Sequence, residues 1–206
     1  MSKLIIVSNR LPVNIERRKG GLNYHQSAGG LATGISSFYK SYESIWIGWP
    51  GIDVDKVDKN KEEVTKRLVA DFNCYPVFLP KKDFENYYSG FCNNTIWPLF
   101  HYFPQHTIYR ENFWKSYKRI NERFCEDVLA IAKEGDIVWI HDYHLMLLPN
   151  LIREKMPNAS VGFFLHIPFP SFELFRVLPW RNEILNGLIG SDLIGFHTYD
   201  YALNFL

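Results

Sequence analysis

The chain has 206 residues, 47% hydrophobic and 22% charged, with a formal net charge of +1. This is the composition of a globular domain large enough to bury a core, and it lacks the basic excess that a nucleic acid or an anionic membrane surface would require. No run approaches the ~20 apolar residues of a membrane span, and Leu4 to Val7 are too few for a signal-peptide core.

Cys74, Cys92 and Cys125 are widely spaced and odd in number. A disulfide framework or zinc site is therefore not expected, and the compartment expected is the reducing cytoplasm.

The first predicted element is a strand over 3–8. Leu4-Ile5-Ile6-Val7 has no polar face, as in a parallel strand covered on both sides, and Ser8-Asn9-Arg10 follows it. Arg10 is either a solvated charge or a fork for a phosphate. Residues 9–29 read as a polar, Gly-rich connection. Ser27-Ala28-Gly29-Gly30-Leu31 then opens a helical pattern over 30–41. Gly29 and Gly30 either expose backbone N–H groups to a phosphate oxygen or form a tight helix entry. The dinucleotide and P-loop glycine patterns are absent.

A strand over 44–48, a helix over 60–71 and a strand over 74–79 come next. Residues 81–109 break this alternation and read as a long loop crowded with aromatics, and loops of such length are usually functional or disordered. The aromatic content speaks against disorder. Within it, Tyr88 and Trp97 are either a stacking wall for a sugar or part of the core. A helix over 112–133 carries Phe113, Tyr117, Ile120, Phe124, Val128 and Ile131 as one apolar stripe, with Gly135 expected to stop it.

The strand over 136–141 runs into Asp136-Ile137-Val138-Trp139-Ile140-His141-Asp142-Tyr143-His144. A strand over 160–165 ends at His166, and one over 192–196 ends at His197. A last helical pattern starts near Tyr199. The chain ends within it, so a domain cut short is expected. Strands alternating with helices imply an α/β fold with a parallel sheet flanked by helices, and ligands bind beyond the carboxyl ends of such strands.

His141, Asp142, His144, His166 and His197 invite a metal reading. Strand geometry sends His141 and Asp142 to opposite sides, however, and no H-x-H or H-E-x-x-H spacing occurs. The other reading has Asp142 accepting from substrate hydroxyls and His166 donating to a second sugar. His101 and His106 are the histidines expected to be satisfied core residues.

Taken in order, several segments closely resemble the trehalose-6-phosphate synthase family, retaining glycosyltransferases of the two-domain GT-B architecture. They are Ser8-Asn9-Arg10-Leu11-Pro12-Val13, Gly29-Gly30-Leu31, Trp46-Ile47-Gly48-Trp49-Pro50-Gly51, Tyr87-Tyr88-Ser89-Gly90-Phe91 and Trp97-Pro98-Leu99-Phe100-His101. The run from Asp136 to Leu145 continues the series, followed by Leu165-His166-Ile167-Pro168-Phe169-Pro170-Ser171, Leu178-Pro179-Trp180-Arg181 and the run from Asp192 to Tyr201.

The resemblance implies that residues 1–206 are the N-terminal, acceptor-side Rossmann-like domain, with the C-terminal nucleotide-sugar domain absent. It implies transfer of glucose from UDP-glucose to glucose 6-phosphate with retention, giving trehalose 6-phosphate and UDP, with no metal and no cofactor. Arg10 would hold the acceptor phosphate, and Tyr88 and Asp142 would bind glucose 6-phosphate. Trp97 would shape the acceptor pocket. Gly29 and Gly30 would present backbone to UDP-glucose, and His166 would hydrogen-bond its glucose near the reacting carbon.

Asp142 and His166 are then the catalytic candidates. The implied mechanism is front-face: the leaving phosphate oxygen assists deprotonation of the incoming hydroxyl, and the protein positions both sugars and stabilises developing charge. Asn204 departs from the histidine frequent in the family. The basic pair and acidic motif that hold UDP belong to the second domain, so the chain alone is expected not to turn over. A noncatalytic glucose 6-phosphate-binding or regulatory module of a synthase complex is the alternative. A homo-oligomer is left open.

Overall fold

Alternation along the first strand decides which layer each side chain joins. In the computed structural model, which describes residues 2–18, 21–26, 43–52, 57 and 60–206, Ile5 and Val7 enter one apolar cluster and Ile6 enters another on the opposite face. That two-sided burial explains why the run has no polar position.

The strand is β1, Leu4–Arg10. It pairs in parallel with β4, Ser44–Trp49, on one side and with β6, Ile137–His141, on the other. Further out lie β5, Cys74–Pro76, beside β4, then β7, Ser160–Phe164, beside β6, and β8, Leu193–Gly195, beside β7. The order β5-β4-β1-β6-β7-β8 is all parallel. The chain leaves β1 toward one edge and returns through β6 toward the other, so the crevice at the switch point opens beyond the carboxyl ends of β1 and β6.

The larger core packs the helix Glu111–Ile131 on one face through Tyr117, Ile120, Phe124 and Val128, and the smaller core packs the helix Lys61–Phe72 on the other through Val64 and Leu68. All six expected strands are present. The helix expected over 30–41 lies outside the described residues. Among those residues no helix is long and apolar enough to cross a membrane.

Three expectations need correction. Residues 9–29 are not merely a connection: β2, Val13–Arg18, and β3, Gly21–Gln26, form an antiparallel hairpin. Val13 and Ile15 are buried while Asn14 and Glu16 are not, a period of two too short to stand out among polar neighbours.

Residues 81–109 are mostly helical, not a loop. Lys81–Phe84 leads into a π-helix over Glu85–Ile96, which passes directly into Trp97–Phe100, and a short 3-10 turn covers Pro104–His106. Tyr87, Phe91 and Ile96, all buried, recur at four and five residues, so a test for three-and-four spacing misses them.

The helix expected over 112–133, with Gly135 as its stop, ends at Ile131, where Ala132 is already extended. Gly135, at φ +87°, serves the turn before β6. Asp136 ties that turn, accepting from the backbone N–H of Lys133 and of Lys3, each at 2.9 Å.

Candidate active site

Ser8 ends the apolar part of β1 and is wholly engaged in structure. Its hydroxyl accepts from Trp46 Nε1 and donates to the Arg10 carbonyl, both at 2.7 Å. Next to it, Asn9 is buried and its Oδ1 accepts from the Tyr87 hydroxyl at 3.0 Å, which ties the end of β1 to the π-helix.

Arg10 emerges exposed, its guanidinium 4.9 Å from the ring centroid of Trp49 at the end of β4. Gly51, at φ +81°, leaves room beside it: a Cβ there would lie 2.9 Å from Asn14 Oδ1 and 3.5 Å from Arg10 Nη2. No carboxylate among the described residues pairs with Arg10.

Stacked rings run from that arginine toward β6. Trp49 lies 4.0 Å from Phe84, Phe84 lies 5.3 Å from Tyr88 at 10°, and Tyr88 lies 5.7 Å from His144, also at 10°. Sequence reasoning assigned no role to Trp49 or Phe84. The signal available was that Trp49 closes a strand, at the edge where ligands bind.

Asp142 follows the last residue of β6 at φ +78°, a region costly for a side chain other than glycine's and one that collects at functional sites. Its Oδ1 accepts from the backbone N–H of Tyr143 at 2.9 Å and of His166 at 3.3 Å. Among the described residues, the group facing Oδ2 is His144 Nδ1, at 3.8 Å. Burial pushes the carboxyl up to about 6 against the two N–H groups, which favour its charge. Burial drives His144 down to about 3. At neutral pH the contact therefore joins a carboxylate to an uncharged ring and is not an ion pair.

Trp97 is 45% exposed at the end of the π-helix, stacked on His101 at 4.0 Å and 5.8 Å from Tyr143. His166, just past β7, is half-buried. Its Nε2 lies 3.0 Å from His141 Nδ1, and its ring faces His197 at 5.4 Å. Burial, reinforced by His197, holds His166 down at about 4.

The structure thus brings Arg10, Tyr88, Asp142, Trp97 and His166 to one edge of the sheet, linked by ring contacts and hydrogen bonds. Gly29 and Gly30 lie outside the described residues. The buried histidines are His141 and His144, not His101 and His106: His106 is exposed, and His101 is half-buried with Nδ1 against the Trp97 carbonyl at 2.7 Å. Asn204 donates to the Phe169 carbonyl at 3.0 Å, anchoring the last helix. No cluster of three metal-binding side chains occurs among the described residues.

Known proteins are similar to this chain in sequence and fold. An alpha,alpha-trehalose-phosphate synthase [UDP-forming] of Dictyostelium discoideum is 48% identical over 99% of this chain and 27% of its own length. An E. coli structure bound with UDP-2-fluoro glucose superposes with a TM-score of 0.80 at 33% identity, over 99% of this chain and 42% of that one. The N-terminal domain of a Candida albicans trehalose-6-phosphate phosphatase gives 0.82 at 33%, over 100% and 42%. The chain spans less than half the length of the curated relatives it matches. Its fold is that of the N-terminal half of a GT-B glycosyltransferase. The model of glycosyltransferase family 20 matches residues 2–206, and the chain belongs to that family.

Proposed function

We propose that this chain forms the acceptor side of a retaining glucosyltransferase cleft. The reaction is transfer of glucose from UDP-glucose to glucose 6-phosphate, giving trehalose 6-phosphate and UDP. One observation carries the reading: the carboxylate of Asp142 has one oxygen tied to backbone N–H groups and the other unclaimed at the switch-point crevice. Such an oxygen is a strong acceptor for a sugar hydroxyl.

In this reading Arg10, which has no carboxylate partner among the described residues, holds the acceptor phosphate through its planar fork. Tyr88 and Trp97 wall the acceptor sugar, and Gly29 and Gly30 offer backbone to the donor diphosphate. His166 hydrogen-bonds the donor glucose. Asp142 and His166 sit nearest the reacting atoms. The chain spans less than half the length of the relatives it matches, and in this reading its residues supply the acceptor side of the cleft. A cytoplasmic setting is part of the same reading, supported by three free, buried cysteines.

A second reading is a noncatalytic module that binds glucose 6-phosphate or regulates a synthase complex. It draws support from the similarity to the N-terminal domain of a Candida albicans phosphatase. Calorimetric titration with glucose 6-phosphate, UDP-glucose and plain glucose tests the site itself. Saturable binding of glucose 6-phosphate that vanishes in Arg10→Ala supports the acceptor assignment, and a folded chain that binds none of the three refutes it. In a chain extended to the relatives' length, Asp142→Ala abolishes trehalose 6-phosphate formation under the first reading. Such a chain produces none before substitution under the second.

A further inference from the structure

His141 is 1% exposed, with its ring 4.4 Å from that of Trp139 and its Nδ1 3.0 Å from Nε2 of His166. Two uncharged imidazoles in such contact share one proton between the facing nitrogens, and which ring owns it determines what His166 offers on its other edge. Both rings are uncharged at neutral pH, since burial holds His141 down at about 3 and His166 at about 4.

The far nitrogen of His141 selects between the two arrangements. Nε2 of His141 is sealed from solvent with no hydrogen-bond partner among the described residues. If His166 donated to His141, the proton of His141 would sit on that sealed nitrogen as an N–H without an acceptor. If His141 donates, the sealed nitrogen is only a lone pair without a donor. A buried orphan N–H is the rarer defect, and an under-satisfied acceptor the more tolerated one. Nδ1 of His166 is not among the sealed atoms and has no partner among the described residues.

We propose that His141 is a positioning residue that locks His166 in the Nδ1–H tautomer, so that His166 meets its ligand as a hydrogen-bond donor. The edge of His166 then suits an oxygen lone pair, from a hydroxyl, a ring oxygen or a phosphate, and cannot accept from a hydroxyl. Asp142, whose backbone N–H donates to the Phe164 carbonyl at 2.8 Å and whose Oδ1 accepts from the backbone N–H of His166 at 3.3 Å, stands beside it as an acceptor only. The crevice thereby carries one fixed donor and one fixed acceptor, a pattern that orients a polyol. The consequence for the ligand rests on the function proposed above. The tautomer does not.

Long-range 15N–1H NMR of the ligand-free chain at neutral pH tests the assignment. The expected spectrum has His166 protonated at Nδ1 and bare at Nε2, and His141 protonated at Nδ1. His166 protonated at Nε2 overturns the proposal. In His141→Phe the His166 signals become those of a tautomer mixture, while His141→Asn, whose amide places an N–H near the original Nδ1, restores the single form. An unchanged tautomer in a folded His141→Phe also overturns it. Should the phenylalanine variant not fold, the wild-type spectrum alone decides. Adding UDP-glucose afterwards tests the ligand reading separately, by whether the His166 signals move.

Discussion

His144 Nδ1 faces Asp142 Oδ2 at 3.8 Å, while the same imidazole lies parallel to the ring of Tyr88. One buried, uncharged ring thus lies against two of the residues proposed to hold the acceptor sugar, and neither of its nitrogens has a hydrogen-bond partner among the described residues. The two sides of this contact respond to pH with opposite sign.

For Asp142 the folded value of about 6 lies above the ordinary carboxylate value. The folded state then binds more protons than the unfolded one between ~4 and 6, so this group's contribution is present at low pH and is lost as pH rises through 6. Asp142→Asn keeps an oxygen for both backbone N–H groups and tolerates the positive φ. At pH 7 the variant is expected to be more stable than wild type, by up to ~2–3 kcal/mol, while glucose 6-phosphate binding falls ~10- to 100-fold. Denaturant midpoints at pH 4 and 7 beside calorimetry check both halves. A variant with unchanged affinity removes Asp142 from the site.

For His144 the folded value is depressed to about 3. Its contribution is complete above the unfolded value of ~6.5 and drains away as pH falls toward the folded one. In His144→Phe, which keeps the stacked ring, the wild-type loss of stability between pH 7 and 4 is expected to shrink by ~2–3 kcal/mol. Parallel stability–pH curves for the two proteins would count against this burial.

Arg10 contributes little to the fold, because its side chain is exposed and, among the described residues, engaged over Trp49. Arg10→Ala should change stability by less than ~1 kcal/mol and remove glucose 6-phosphate affinity by at least ~10-fold. Arg10→Lys, which keeps the charge without the planar fork, should recover only part of the affinity. A melting curve on the same samples separates unfolding from lost contact.

Gly90 packs the π-helix against the long helix so closely that a Cβ would lie 2.6 Å from the ring of Phe113. Gly90→Ala is expected to destabilise by ~1–3 kcal/mol through overpacking. Trimming the ring in Gly90→Ala/Phe113→Leu should return part of that, a non-additivity that a double-mutant cycle reads directly.

Tyr87→Phe deletes the donor to Asn9 Oδ1 and leaves that oxygen without it in a buried position. A cost of ~1–3 kcal/mol follows, with slack introduced between β1 and the π-helix that carries Tyr88. Faster amide exchange at Asn9 and Arg10 than in wild type is the signature to seek.

The sheet was legible because its signal is local. Runs such as Ile5-Ile6-Val7 and Val161-Gly162-Phe163 have no polar face, and each polar cluster that follows falls at a carboxyl end for the same reason. The hairpin of Val13–Arg18 with Gly21–Gln26 and the π-helix of Glu85–Ile96 were not legible. The first rests on two buried side chains, and the second on a spacing of four and five that the usual helical template rejects.

Hydrophobic pattern and motif order, carried within a few residues of each position, were enough to determine the parallel sheet, the edge that bears the polar residues and the family. Only the tertiary structure decided how those residues meet: the stack from Trp49 through Phe84 and Tyr88 to His144, the positive φ of Asp142, and the contact of His141 with His166. Except for the step from Phe84 to Tyr88, such pairings join residues tens of positions apart. They depend on strand register and on how helices sit over the sheet, which no local periodicity encodes.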